Sequence, residues 1–250
     1  MTGEGERVFA EALAAESRER GRTNLRPRDA ATLILLDRSG DATKVLLGRR
    51  HAGHKFMPGK FVFPGGRVEA SDRRMSVAMP LTPIVEEKLN ARARRPSSRL
   101  GRALALAAIR ETFEETGLAL GLGRAAAGSR AAPAGAWSKF AATDVAPALD
   151  GLDFLARAIT PPGRPRRFDT RFLVADAALI AHREEGIVGP ESELVELVWM
   201  PLAEASALDL PSITRIVLDE LATAMTADMN PARPRPFFYT KHGVWRRDEL

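Results

Sequence analysis

Residues 110–118 read Arg-Glu-Thr-Phe-Glu-Glu-Thr-Gly-Leu, and this stretch constrains the fold more than any other. On one helix, Glu111 and Glu114 stand at i,i+3 and Glu111 and Glu115 at i,i+4, so the three carboxylates converge on one side. Like charges at those spacings weaken an isolated helix by about 0.2–0.5 kcal/mol per pair. A hard divalent cation held by carboxylate oxygens turns that repulsion into binding. Arg110 can reach the neighbouring carboxylates and orient them, and Gly117 ends the helix as a C′ glycine does. The ordinary alternative is a solvated Glu-rich face. With each charged type at roughly 6% and Gly at roughly 7%, the five-residue pattern arises by chance in about one chain in several thousand of this length. That rarity favours a site.

A partner segment lies upstream, Phe63-Pro64-Gly65-Gly66-Arg67-Val68-Glu69-Ala70-Ser71-Asp72. Together the two segments resemble the signature of the Nudix hydrolases, G-x5-E-x7-R-E-U-x-E-E-x-G-U, in which U is bulky and apolar. Gly66 matches the first glycine, and Arg110, Glu111, Glu114, Glu115, Gly117 and Leu118 match the second half. Three positions depart from it. Asp72 stands where the family usually has Glu, Thr112 stands at an apolar position, and the seven-residue spacer is stretched to the whole of 73–109. One subgroup, the CoA diphosphatases of the mammalian peroxisomal type, carries a long insertion at this point.

The same subgroup is similar over Val45-Leu46-Leu47-Gly48-Arg49-Arg50 and over Phe56-Met57-Pro58-Gly59-Lys60-Phe61-Val62-Phe63-Pro64-Gly65-Gly66. Arg166–Phe172 and Glu196-Leu197-Val198-Trp199 resemble later strands of the family. The resemblance therefore touches residues from about 30 to 205, with gaps through the insertion and through 120–150. It departs from the CoA-recognition motif of other Nudix CoA enzymes, which has a more regular spacing of basic residues and Gly.

The resemblance implies an α/β fold, a Nudix-type α/β/α sandwich with a mixed β-sheet. It also implies hydrolysis of a diphosphate linkage assisted by Mg²⁺ or Mn²⁺, which would neutralise the linkage and lower the pKa of an attacking water. Glu111 and Glu115 are the surest ligands, Glu114 completes the set directly or through water, and Arg110 orients the carboxylates. Gly65 and Gly66 let the backbone approach metal and phosphates. The water-activating base is open between Glu111 and a loop carboxylate, with Glu184, Glu185, Glu191 and Glu193 as candidates. Arg49, Arg50, His51, His54 and Lys55 precede the signature and can meet phosphates, as can Arg167 and Arg171. Phe56 and Phe63 can stack on a base, with core packing as the alternative. The expected substrate is a small nucleoside diphosphate of the CoA type, cleaved to 3′,5′-ADP and (acyl-)phosphopantetheine. The rivals are NADH, ADP-ribose, dinucleotide polyphosphates and a nucleotide-binding regulator without catalysis.

Composition agrees with an enzyme. The 250 residues, 45% of them hydrophobic, can bury one sizeable core. The chain has no Cys, so disulfides, thiolate metal sites and a Cys nucleophile are excluded. A formal charge of +5 favours acidic ligands, but without a nucleic-acid motif it does not point to a polynucleotide. Residues 1–20 lack the apolar core of a secretory signal, and no apolar run reaches membrane length, so a cytoplasmic protein without membrane contact is expected.

Periodicity predicts strands over Ala31–Asp37, Lys44–Arg49, Phe61–Phe63, Phe154–Thr160, Phe168–Asp176 and Glu193–Met200. Helices are predicted over Gly5–Arg20, Ile84–Arg95, Leu100–Thr116 and Ile213–Met225, with Leu104, Ala107, Ala108 and Thr112 facing inward. Ala125–Ala136 reads as a loop or frayed helix. The expected organisation is an N-terminal helical extension at 1–28, a Nudix domain at 29–226 with its insertion at about 73–101, and a C-terminal tail at 227–250. For the insertion, which carries Arg92, Arg94, Arg95 and Arg99, the sequence leaves three roles open: covering the substrate, a homodimer contact, or a solvated surface.

Overall fold

The computed structural model describes residues 25–54, 57–123, 125 and 132–250. The expected helix at Gly5–Arg20, Lys55, Phe56 and much of Ala125–Ala136 lie outside the described residues.

Strands β1 (Arg28–Asp37) and β2 (Lys44–Arg50) come first, then the short β3 (Phe61–Val62) and β4 (Gly65–Arg67). Helix α1 (Pro83–Asn90) lies within the insertion, and α2 (Ser98–Thr116) carries the acidic cluster. The short strands β5 (Leu118–Leu120) and β6 (Leu122–Gly123), helix α3 (Trp137–Ala142) and β7 (Val145–Ala146) follow. The chain continues through β8 (Asp153–Ile159), β9 (Phe168–Asp176), β10 (Ile180–Arg183) and β11 (Leu194–Pro201). Helix α4 (Ser212–Met225) and a hairpin of β12 (Pro236–Lys241) and β13 (Val244–Glu249) complete it.

The main sheet runs β11-β2-β1-β9-β8-β12-β13, with β3 on β2 and β4 on β1. It is mixed: β1 pairs with β9 and β8 with β12 in parallel, and the remaining pairs are antiparallel. β1 alternates between two buried faces, as a central strand must. Leu33 and Leu35 pack with Leu104, Ala107 and Ala108 of α2, while Ile34 and Leu36 pack with Ile216, Val217 and Leu221 of α4. Each such buried Leu or Ile contributes about 1.5–3 kcal/mol. The result is the expected α/β/α sandwich. Among the described residues no helix is long and apolar enough to cross a membrane.

Two regions differ from the expectations. Residues 236–249, read as part of a tail, extend the sheet: β12 pairs with β8, Phe238 packs in the α4-side core, and Phe237 is buried on the other face beside Arg92 and Arg157. The helix expected at Ile84–Arg95 stops at Asn90, and the insertion packs inward. Met75, Leu81, Val85 and Leu89 join the core beneath α2. Arg92 closes the far end, with φ +51°, its guanidinium 2.6 Å from Asp248 and 5.1 Å from the centre of the Phe237 ring. The insertion thus ties α2 to the C-terminal hairpin.

Candidate active site

The rotation of α2 about its axis is set by its buried stripe. Leu104, Ala107, Ala108 and Thr112 are all fully buried, so Glu111, Glu114 and Glu115 emerge along the edge of the helix nearest β4. Thr112 is accepted at an apolar position because its Oγ1 donates to Ala108 O at 2.8 Å, leaving only its methyl to pack. Gly117 closes the helix in the left-handed conformation (φ +77°), and its N–H donates to Phe113 O at 2.8 Å.

Arg110 is 1% exposed and joins the two halves of the signature. Its Nε and Nη2 donate to Asp72 Oδ1 and Oδ2 at 2.8 and 3.1 Å, and Nη2 also donates to Arg67 O at 2.9 Å. Its Nη1 donates to Glu111 Oε1 at 2.9 Å and Glu114 Oε2 at 2.8 Å. Burial opposes the charge of Arg110, but the bond to Asp72 and the Glu111 and Glu114 carboxylates outweigh it and hold its pKa above the usual value. Asp72 has no exposed surface, and it also accepts from Trp137 Nε1 at 2.9 Å and Glu69 N at 2.7 Å.

The glycines act through close approach. Gly65 N donates to Glu115 Oε2 at 3.1 Å. A Cβ on Gly65 would stand 2.6 Å from Ala31 O, and one on Gly66 would stand 2.4 Å from Glu111 Cδ. Only bare backbone fits between β1 and the carboxylates.

Crowding shows in the proton affinities. Burial, opposed by Arg110, pushes Glu111 up to about 6. Burial also raises Glu114 against the same guanidinium. Glu115 is raised well above the ordinary carboxylate value by burial and by the neighbouring charges of Glu193 and Glu111.

Glu193 stands just before β11 and its charge acts on both Glu111 and Glu115. It is held by Arg50, whose Nη2 donates to Glu193 Oε1 at 2.7 Å, and His54 Nε2 lies 3.5 Å from the same oxygen. The structure therefore brings together Arg50, Gly65, Gly66, Arg110, Glu111, Glu114, Glu115 and, from the loop candidates, Glu193.

Four expected substrate contacts do not join this cluster. Arg49 follows strand alternation to the other face from Arg50 and pairs with Glu196 at 2.7 Å. Phe63 is 6% exposed and packs in the α4-side core. Arg171 is 1% exposed, with Nη1 held by Asp29 at 2.8 Å and Asp169 at 3.1 Å. Arg167 instead binds the backbone of Thr160 and Leu25. Asp72, already matched to the signature's Glu position, had been given no role, and Trp137 was missed. Trp137 had no signal, since it comes from a segment outside the resemblance.

The donor chemistry of the site suits a divalent cation. Glu111 Oε2, Glu114 Oε1 and Glu115 Oε1 accept no hydrogen bond among the described residues. Three carboxylates with raised proton affinity and free oxygens fit a hard cation in charge and donor type. The described side chains are not drawn into a closed ligand cluster, because Arg110 engages Glu111 and Glu114. Beside the site, Arg28, Asp29, Arg67, Glu69 and Arg73 line an open cleft of about 590 Å³.

No protein-family model matches the chain, and no curated protein matches it. Among solved structures it is similar to a Nudix hydrolase from Alicyclobacillus acidocaldarius, with 26% identity and a TM-score of 0.62 over 84% of this chain and 98% of that one. Weaker likenesses are to the Nudix domain of Shewanella oneidensis NrtR complexed with ADP ribose, at 12% identity, TM-score 0.44, 80% of this chain and 90% of that one. A Caenorhabditis elegans Ap4A hydrolase gives 12% identity and TM-score 0.40 over 80% of this chain and 99% of that one. The fold is that of the Nudix hydrolases, and together with the carboxylate set it places the chain in that superfamily as an enzyme.

Proposed function

We propose that the chain is a metal-dependent diphosphatase acting on CoA or acyl-CoA, releasing 3′,5′-ADP and (acyl-)phosphopantetheine. The observation that carries hydrolysis is the convergence of Glu111, Glu114 and Glu115 on the Gly65–Gly66 backbone, with Glu193 facing them. The choice of CoA rests on the run Val45–Gly66 and on the insertion inside the signature, both similar to the CoA diphosphatase subgroup.

Glu111, Glu114 and Glu115 would hold Mg²⁺ or Mn²⁺, with Arg110 fixing the first two. When bound, the metal supplies Lewis-acid neutralisation of the diphosphate and acidifies a water. Glu193, anchored by Arg50, takes the proton of the attacking water as its oxygen bonds to phosphorus. The bond from that phosphorus to the bridging oxygen breaks, and the electron pair leaves with the second phosphate. The Arg28, Arg67 and Arg73 side of the neighbouring cleft offers cations to the substrate's remaining negative charge.

The test is turnover of CoA, acetyl-CoA, NADH, ADP-ribose and diadenosine polyphosphates with Mg²⁺ or Mn²⁺, with products resolved by chromatography. Release of 3′,5′-ADP from CoA well ahead of the others is expected. Preference for another substrate keeps the chemistry and removes CoA, and binding without cleavage removes the enzyme reading.

A further inference from the structure

We propose that Trp137 is a positioning residue of the carboxylate site, which with Asp72 takes the place of the longer carboxylate expected at position 72. The inference rests on the metal-dependent reading of the same site.

Asp72 is one methylene shorter than Glu and has no exposed surface. Its two oxygens accept four hydrogen bonds: Oδ1 from Arg110 Nε and Trp137 Nε1, Oδ2 from Arg110 Nη2 and Glu69 N. That fills the acceptor capacity of a carboxylate, so its position is determined from all sides. Trp137 is also fully buried, and its indole N–H has Asp72 as its partner. Its ring is fixed in turn. Trp137 meets Phe140 edge-on at 5.2 Å, and Phe140 meets Phe113 of α2 edge-on at 5.3 Å. The helix that bears Glu111 and Glu114 therefore holds Arg110 from two directions. One is covalent. The other runs from Phe113 through Phe140, Trp137 and Asp72 back to the guanidinium. Trp137 hydrogen-bonds to neither Glu111 nor Glu114; it acts through Arg110, whose Nη1 sets where both carboxylates stand.

The test is Mn²⁺ affinity, read from free Mn²⁺ by electron paramagnetic resonance, together with kcat and KM. W137F keeps the buried ring and removes the donor; Mn²⁺ affinity and kcat are expected to fall about tenfold with KM little changed. F140L loosens the same aromatic contacts without removing the donor to Asp72, and it is expected to lower Tm while weakening Mn²⁺ binding less than W137F does. D72E has no room beside the indole and is expected to lose activity, while D72E/W137F recovers part of it.

W137F with wild-type Mn²⁺ affinity, or F140L weakening Mn²⁺ as much as W137F, would overturn the proposal. In the intact protein the Trp137 indole N–H resonance, assigned by elimination with W199F and W245F, is expected to shift on adding Mg²⁺. An unshifted resonance overturns the proposal even where W137F does not fold. An affinity difference between W137F and wild type supports the positioning role whether or not CoA is turned over, so failure of the substrate reading is separately visible.

Discussion

Gly66 stands so close to Glu111 that a Cβ on the glycine would lie 2.4 Å from the carboxyl carbon, although the whole insertion separates them in sequence. The conflict falls on the end of a side chain, so Gly66→Ala displaces the carboxylate more than it disturbs the fold. Turnover is expected to drop on the order of tenfold or more, with little change in Tm. Gly65→Ala meets the backbone of β1 at 2.6 Å and is expected to cost about 1–3 kcal/mol. Parallel kinetics and thermal melts of the two variants check the contrast.

Glu115→Gln keeps the shape and the acceptor for Gly65 N while removing a carboxylate that burial, Glu193 and Glu111 disfavour as an anion. Turnover is expected to fall on the order of a hundredfold or more, while the metal-free protein melts no lower than wild type. An active variant would remove Glu115 from the metal site.

The same crowding makes the metal-free fold sensitive to pH. Glu111 binds its proton more tightly folded, at about 6, than at its ordinary 4.5, and Glu115 is shifted in the same direction. The folded state therefore holds more protons between those values. The stabilisation is fully present below 4.5 and is lost as pH rises through 6, about 2 kcal/mol for Glu111. In chelator, Tm is expected to fall over that interval less steeply for Glu111→Gln than for wild type. Added Mg²⁺ is expected to raise the wild-type Tm more at pH 8 than at pH 5.

Asp72→Ala strands the buried Arg110 and the indole N–H of Trp137 without their shared acceptor. Removing one partner of a buried ion pair costs about 3–5 kcal/mol. Urea unfolding measures it, and a loss below about 1 kcal/mol would contradict the buried geometry.

Phe238→Ala tests the C-terminal hairpin. Phe238 is fully buried and stacks on Trp245 at 5.6 Å, far from the carboxylates. A cost of about 3–5 kcal/mol is expected with Mn²⁺ affinity unchanged.

The central strands and α2 were legible because each obeys one period: β1 alternates between two buried faces, and α2 repeats small and apolar residues over its inner face. The acidic cluster was legible because its spacing has a chemical reason. The C-terminal hairpin was readable in principle. His242-Gly243 joins two six-residue strands, and both residues have positive φ, +51° and +76°, as a two-residue hairpin turn requires. The opposite directions of Arg49 and Arg50 also follow from strand alternation. Trp137 was not readable, because its place beside Asp72 depends on how α3 packs on α2. The containment of Arg171 by Asp29 and Asp169 depends likewise on the pairing of β1 with β9.

The most direct test of the carboxylate site is CoA hydrolysis by chelator-treated protein titrated with Mg²⁺, alongside Glu111→Gln. No turnover without metal, saturable recovery on addition, and a weakened Mg²⁺ response in the variant are expected. Turnover that persists in chelator, or a variant with the wild-type Mg²⁺ response, would contradict the account.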